Sequence, residues 1–184
     1  IFDKYGYLWI ATSGGGLNRF NPRTEEFIIY RHEKDKPHSI SDDRIMGLLE
    51  DQQGNIWIGS SSNGLNKFNI QNNTFQRFRN SPLDPKSIGS NRIYCIYETR
   101  DKKTLWIGTG DGLNRFNPSD SVFTRYTKKH GFKSDVILGI LEDQDGFLWL
   151  STMDGLYKFD PNLDGGKILQ VFEDRDGLGD NEFA

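Results

Sequence analysis

The sequence predicts an all-β fold made of about four copies of one four-stranded antiparallel sheet, and three observations carry that prediction. The first is a repeat. "LWIATSGGGLNRFNP" from Leu8 returns as "IWIGSSSNGLNKFNI" from Ile56, "LWIGTGDGLNRFNP" from Leu105 and "LWLSTMDGLYKFDP" from Leu148. The second is composition: thirteen Phe, seven Tyr and four Trp accompany twenty Gly in 184 residues, a usage suited to many short strands and tight turns. The third is periodicity. No stretch sustains a 3.6-residue apolar period, whereas "LWIGT" and "ILGIL" place apolar residues on both faces of a strand. A sheet with one wet face would alternate, so both faces of these sheets must be covered.

The elements follow in order. The first strand of a repeat is "IMGLLE" from Ile45, "IYCIYE" from Ile93 and "ILGILE" from Ile137. The second carries Trp9, Trp57, Trp106 or Trp149, and the third opens on Gly-Leu and holds Phe20, Phe68, Phe116 or Phe159. The fourth is "FIIY" from Phe27, "FQRF" from Phe75, "FTRY" from Phe123 and "ILQVF" from Ile168. In the fourth repeat the strands are predicted at 137–142, 148–152, 156–160 and 168–172. Between the first two strands stands Asp143-Gln144-Asp145-Gly146, which alone resembles the start of a calcium loop. Its siblings Asp51–Gly54 and Asp3–Gly6 do not keep oxygen ligands in place, and "TRDKK" from Thr99 lacks the Gly. It is read as a hairpin turn. A four-stranded unit of about 45 residues stacked on copies of itself is a β-propeller blade.

The blades are expected at 1–38, 39–86, 87–130 and 131–175, with the start of a further first strand at 176–184. Gly47, Cys95 and Gly139 are equivalent and suit crowding near the propeller axis; Cys95 is read as a small buried hydrophobe. The tryptophans are read as packing between blades. Ile1 aligns with Leu141, and "LGDNEFA" from Leu178 aligns with the segments at Ile40, Ile88 and Phe132. The chain is therefore expected to be a segment of a longer propeller, or one whose two ends share a blade. An open array would leave apolar faces to pair with further blades or with a second copy of the chain.

The net charge of −3, without a Lys/Arg cluster, argues against a nucleic-acid partner. No apolar run approaches the roughly 18 residues of a membrane helix, so no direct insertion of this segment is expected. A lone cysteine excludes an internal disulfide.

Ligand recognition is expected on the loops before the first strands and between the second and third, which share one face of a blade. They vary between repeats while the strands do not, as recognition loops on a rigid scaffold do. Asp43, Arg44, Asn63, Asn91, Arg92, Asp111, Asp135 and Asp154 are the candidate ligand-binding residues. Arg44 and Arg92 lead, because turn chemistry does not require Arg, whereas Asp, Asn and Ser before a strand also cap turns. Arg19, Lys67, Arg115 and Lys158 repeat on the third strands and are read as a scaffold rim. His32, His38 and His130 lack metal-ligand spacing. "SGGG" from Ser13 lacks the Lys and helix of a phosphate loop, and no Gly-x-Ser-x-Gly elbow occurs. The pairs Glu50-Asp51 and Glu142-Asp143 recur at turns. No cofactor, metal or catalytic residue is expected.

"ILEDQDGFLWLSTMDGLYKFDP" from Ile140 and its sister copies, with "LWIGT" and "GLNRFNP" as core words, resemble the two-component-regulator propeller repeat over nearly the whole chain. "DGLGDNEF" from Asp176 also looks like a segment common near the end of such propellers; Gly-Gly and Trp-Asp signatures repeated from copy to copy, as in other propeller classes, are absent. The resemblance implies a ligand-binding sensor region, typically the periplasmic part of a membrane-bound, often hybrid, sensor kinase. Many relatives serve carbohydrate utilisation and respond to oligosaccharides, which makes an oligosaccharide or other small ligand the expected partner. The family's β-sandwich, membrane helix and kinase are not in this chain, so it would supply recognition and not catalysis. An interaction or dimerisation scaffold without a small ligand is the alternative; a propeller lyase or hydrolase ranks third.

Overall fold

In the computed structural model, which describes residues 1–118, 120–163 and 165–180, the glycine-bounded apolar runs form fifteen strands in four antiparallel sheets. The first sheet holds β1 (Leu8–Ala11), β2 (Leu17–Asn21) and β3 (Glu26–Tyr30). The second holds β4 (Ile45–Glu50), β5 (Ile56–Ser60), β6 (Leu65–Asn69) and β7 (Thr74–Phe78). The third holds β8 (Ile93–Glu98), β9 (Leu105–Thr109), β10 (Gly112–Asn117) and β11 (Val122–Tyr126). The fourth holds β12 (Ile137–Glu142), β13 (Leu148–Thr152), β14 (Gly155–Asp160) and β15 (Lys167–Phe172), each within one residue of its expected bounds. Strands are hydrogen-bonded in chain order within every sheet. Ile1 exchanges backbone hydrogen bonds with Trp9 and so holds the first-strand position of the first sheet. Helix among the described residues is confined to two 3-10 turns, Lys128–His130 and Asp174–Asp176. The further first strand expected at Asn181, Glu182 and Phe183 lies outside the described residues.

Three hydrophobic cores each join one sheet to the next, which is why the strands are apolar on both faces. Trp9, Leu17 and Tyr30 pack with Ile40, Ile45, Ile56, Ile58, Phe68 and Phe75. Trp57 and Leu65 pack with Ile93, Ile107 and Phe116 of the third sheet, and Trp106, Leu113 and Tyr126 with Ile137, Leu150 and Phe159 of the fourth. The ring geometry repeats: Trp57 stacks on Phe78 of its own sheet at 5.7 Å and meets Phe116 of the next edge-on at 5.2 Å. Trp9 does the same with Tyr30 and Phe68. Trp149 stacks on Phe172 within its own sheet but is only part-buried. The tryptophans of the first three sheets are thus inter-sheet packing, as expected. Cys95 packs against the third of these cores, and burial pushes its thiol up to about 12.

The acidic turn is scaffold. Asp3, Asp51 and Asp143 each accept the indole N–H of their own tryptophan at 2.8 Å. The other oxygen of Asp143 takes the backbone N–H groups of Asp145 and Phe147. The glutamate beside it works between sheets: Glu50 accepts the backbone N–H of Lys4, Glu98 that of Gln52, and Glu142 that of Arg100. The third sheet departs from the pattern. Thr99 replaces the aspartate, and the buried Trp106 indole N–H is left without a partner. Arg19, Lys67 and Lys158 lie over tryptophan rings at 5.3 to 5.5 Å, so these rim cations also serve the scaffold.

Candidate functional site

The loops before the first strands and those between the second and third strands meet at one end of the sheets. The glycine of the recurrent Gly-Leu makes that meeting possible. Gly64 has φ +88°, and an added Cβ would lie 2.2 Å from the Phe78 carbonyl oxygen, so no other residue fits. Its N–H donates to the Asn91 carbonyl of the next sheet at 2.8 Å; Gly16 does the same to Asp43 and Gly112 to Asp135.

These three partners are sequence candidates, and their side chains are engaged alike. Asp43 accepts the backbone N–H of His32 at 2.7 Å, Asn91 that of Asn80 at 2.8 Å, and Asp135 that of Lys128 at 2.7 Å. Asp43 also accepts from Arg31. Each ties the start of a sheet to the connection that precedes it. A second tether lies on the third strand. Asn66 accepts the N–H of Ser41 at 2.9 Å, and Asn114 that of Gly89 at 2.7 Å. In the fourth sheet the Tyr157 hydroxyl takes this role toward Lys133. The loop bearing Arg44 is thereby pinned at Ser41 and Asp43, and the loop bearing Arg92 at Gly89 and Asn91.

Arg44 and Arg92 come together. They line one cavity of about 250 Å³ at the inner edge of the second and third sheets, with Met46, Ser61, Ser62 and Tyr94. A β-bulge explains the last pair. The β4–β5 register shifts between Ile45 and Gly47, and the β8–β9 register between Ile93 and Cys95, which turns Met46 and Tyr94 out of the ladder. The Arg44 guanidinium donates to Ser62 at 3.1 Å and stands 3.8 Å from the carboxylate of Asp42. Asp42 is buried, and one of its oxygens accepts from Ser62 at 2.7 Å and from Asn63 at 3.1 Å. Burial alone would push the Asp42 carboxyl up. Hydrogen bonds from Arg44, Ser62 and Asn63, with the charge of Arg44, bring it below its ordinary value.

Asn63 therefore belongs to the Arg44 network through Asp42. Asp111 and Asp154 occupy matching turns of the third and fourth sheets, where their backbone N–H groups donate to Thr109 and Thr152. Their exposed carboxylates make no ion pair among the described residues, and neither lines the Arg44–Arg92 cavity. Met46, Tyr94 and Ser61 were not candidates. Only the bulge, a tertiary feature, brings the first two to the cavity. A wider depression of about 560 Å³ lies elsewhere, under the connection 33–40. Arg77 clamps the carbonyls of Lys36 and Ser39 in that connection, a structural contact repeated by Arg125 on Asp84 and Ser87. Among the described residues, no group of three His, Cys, Asp or Glu is placed to hold a metal ion.

Comparison with known proteins bears on the whole arrangement. The family model described as "Two component regulator propeller" matches residues 39–62, 87–111 and 131–154. The structure is similar to the extracellular domain of the putative hybrid two component system BT3049 from B. thetaiotaomicron, with TM-score 0.83, 28% identity, 94% of this chain and 24% of that chain covered. It also resembles the extracellular domain of the putative one component system BT4673 from B. thetaiotaomicron, with TM-score 0.76, 23% identity and coverage of 92% and 24%. Virginiamycin B lyase from Staphylococcus aureus shares the fold alone, with TM-score 0.68, 15% identity and coverage of 94% and 54%. The chain spans about a quarter of the length of the first two of these structures, at 24% each. No curated protein sequence is significantly similar to it. Three consecutive sheets carry the repeat that this family model describes, and their architecture is similar to that of a two component system's extracellular domain.

Proposed function

We propose that these blades are the ligand-recognition part of a membrane-bound two-component signalling protein, acting outside the cytoplasm in the periplasm, and that an oligosaccharide binds on the loop-bearing face. The observation that carries this reading is the contrast between two sets of loop residues. One set repeats its bonds from sheet to sheet: Asp43, Asn91 and Asp135 on backbone N–H groups. The other set, Arg44, Ser61, Ser62 and Arg92, lines an accessible cavity beside the Tyr94 ring. A fixed frame that presents donors and an aromatic wall suits sugar hydroxyls and a ring face. The similarity to an extracellular domain of a hybrid two component system supports the location and the sensor role. We assign recognition and not catalysis to this segment.

Calorimetric titration of the protein at its natural length against neutral and charged oligosaccharides tests the reading. Saturable binding that weakens when Arg44 or Tyr94 is replaced by Ala is expected; no heat from any sugar class would overturn it. A scaffold role is favoured by one observation. Phe2 in the first sheet and Leu141 in the fourth are 64% and 70% exposed, at opposite ends of the array. That role calls for association that depends on concentration and is insensitive to sugar.

A further inference from the structure

The cavity shared by the second and third sheets has an unbalanced charge. Two arginines line it, Arg44 and Arg92. The acid nearest Arg44 is Asp42, 3.8 Å away, and that carboxylate already accepts hydrogen bonds from the Arg44 backbone, Ser62 and Asn63. The Arg92 side chain makes no hydrogen bond or ion pair among the described residues. Ser61, whose N–H is fixed on the Arg44 carbonyl at 3.0 Å, lines the same cavity with its hydroxyl oxygen buried and unpartnered. Two arginines on one small cavity give it a positive charge, and a guanidinium fork matches the paired oxygens of an oxyanion.

We infer that this cavity takes an anionic substituent of the ligand, a carboxylate or a sulfate ester; the inference rests on the recognition reading above and specifies its ligand as an acidic saccharide. At about 250 Å³ the cavity falls below the roughly 300–1,000 Å³ of pockets that enclose a drug-sized ligand. It therefore suits one charged group, with the remaining sugar residues lying across the open rim. Arg92 receives the anion directly. Arg44, held by Ser62 and Asp42, is the fixed second donor. The Ser61 hydroxyl turns to give a neutral hydrogen bond, and Tyr94 offers its ring to the sugar that bears the charge.

The test titrates the protein at its natural length with two pairs of probes. One is a tetragalacturonide and its methyl ester, which share a backbone and differ in charge. The other is a sulfated galactan oligomer and its unsulfated counterpart. One charged probe is expected to bind at least roughly tenfold tighter than its neutral partner, with an advantage that shrinks as salt rises. Which pair shows the advantage decides between carboxylate and sulfate. Arg92→Gln is expected to abolish the advantage, and Arg92→Lys to keep part of it. Arg92 is exposed, so thermal melting should be unchanged in both variants. Equal binding of charged and neutral probes, or a preference that survives Arg92→Gln, overturns this inference and leaves saccharide recognition standing. Binding of none of the four probes overturns this inference, and silence from the wider oligosaccharide panel as well overturns both.

Discussion

Asp51 accepts the indole N–H of Trp57 at 2.8 Å from within the interface between the second and third sheets. The same carboxylate accepts the backbone N–H of Asn55 at 2.8 Å, so one side chain closes the turn and satisfies a buried donor. Asp51→Ala leaves both donors unpaired and is expected to cost about 2 kcal/mol or more. Urea denaturation measures it; a loss below about 0.5 kcal/mol would show that the bond contributes little.

The third sheet offers the converse experiment. Thr99 occupies the aspartate position, and Trp106 is 1% exposed with its indole N–H unpartnered. Thr99→Asp supplies the missing acceptor and is expected to stabilise the protein by about 1 kcal/mol. The substitution should also shift the Trp106 emission. A neutral or destabilising result, with Trp106 emission unchanged, would mean that the longer turn holds the carboxylate away from the ring.

Asp143 gives the stability a pH dependence of known sign. The Trp149 hydrogen bond, then those from Phe147 and Asp145 and the charge of Lys158, hold its carboxyl below the ordinary 3.8. The folded protein binds this proton less readily than the unfolded chain does. The contribution is fully present above 3.8 and is lost as the pH falls below it, through the lower folded value. Asp143→Asn should flatten the acid limb of the stability curve, measured by urea titration from about pH 5 downward. Parallel curves for the two proteins would contradict this.

Asp43 separates scaffold from ligand site. Its counterpart in the third sheet is Asn91, which makes the same bond to a backbone N–H. Asp43→Asn should therefore leave stability within about 0.5 kcal/mol, while Asp43→Ala should cost about 1–2 kcal/mol. Neither should alter saccharide affinity by more than about twofold, which titration checks. A large affinity loss in a stably folded Asp43→Asn would place Asp43 in the binding site.

The strands were legible because their signals are local: Trp-centred apolar runs, a Gly-Leu word and acidic turns, each present four times or nearly so. The reading of Asp143, Asp145 and Gly146 as a turn came from comparing copies. The roles of the glutamates were not drawn out, although Glu50, Glu98 and Glu142 recur, because their partners are backbone N–H groups of another sheet and leave no mark in sequence. For the same reason the bonds of Asp43, Asn91 and Asp135 to backbone N–H groups are not visible in the sequence. Loop position exposed Arg44 and Arg92 as candidates. Their convergence depends on sheet stacking and on the bulge at Met46 and Tyr94, which single-strand periodicity does not encode.

Stacking of sheets through their tryptophans is the claim on which the rest depends, and indole hydrogen exchange tests it most directly. In ¹H–¹⁵N spectra assigned with single Trp→Phe variants, the indole N–H groups of Trp9, Trp57 and Trp106, each 2% exposed or less, should be strongly protected. The part-buried Trp149 should exchange faster than these three. Exchange of Trp57 and Trp106 at the rate of a free indole would contradict the account.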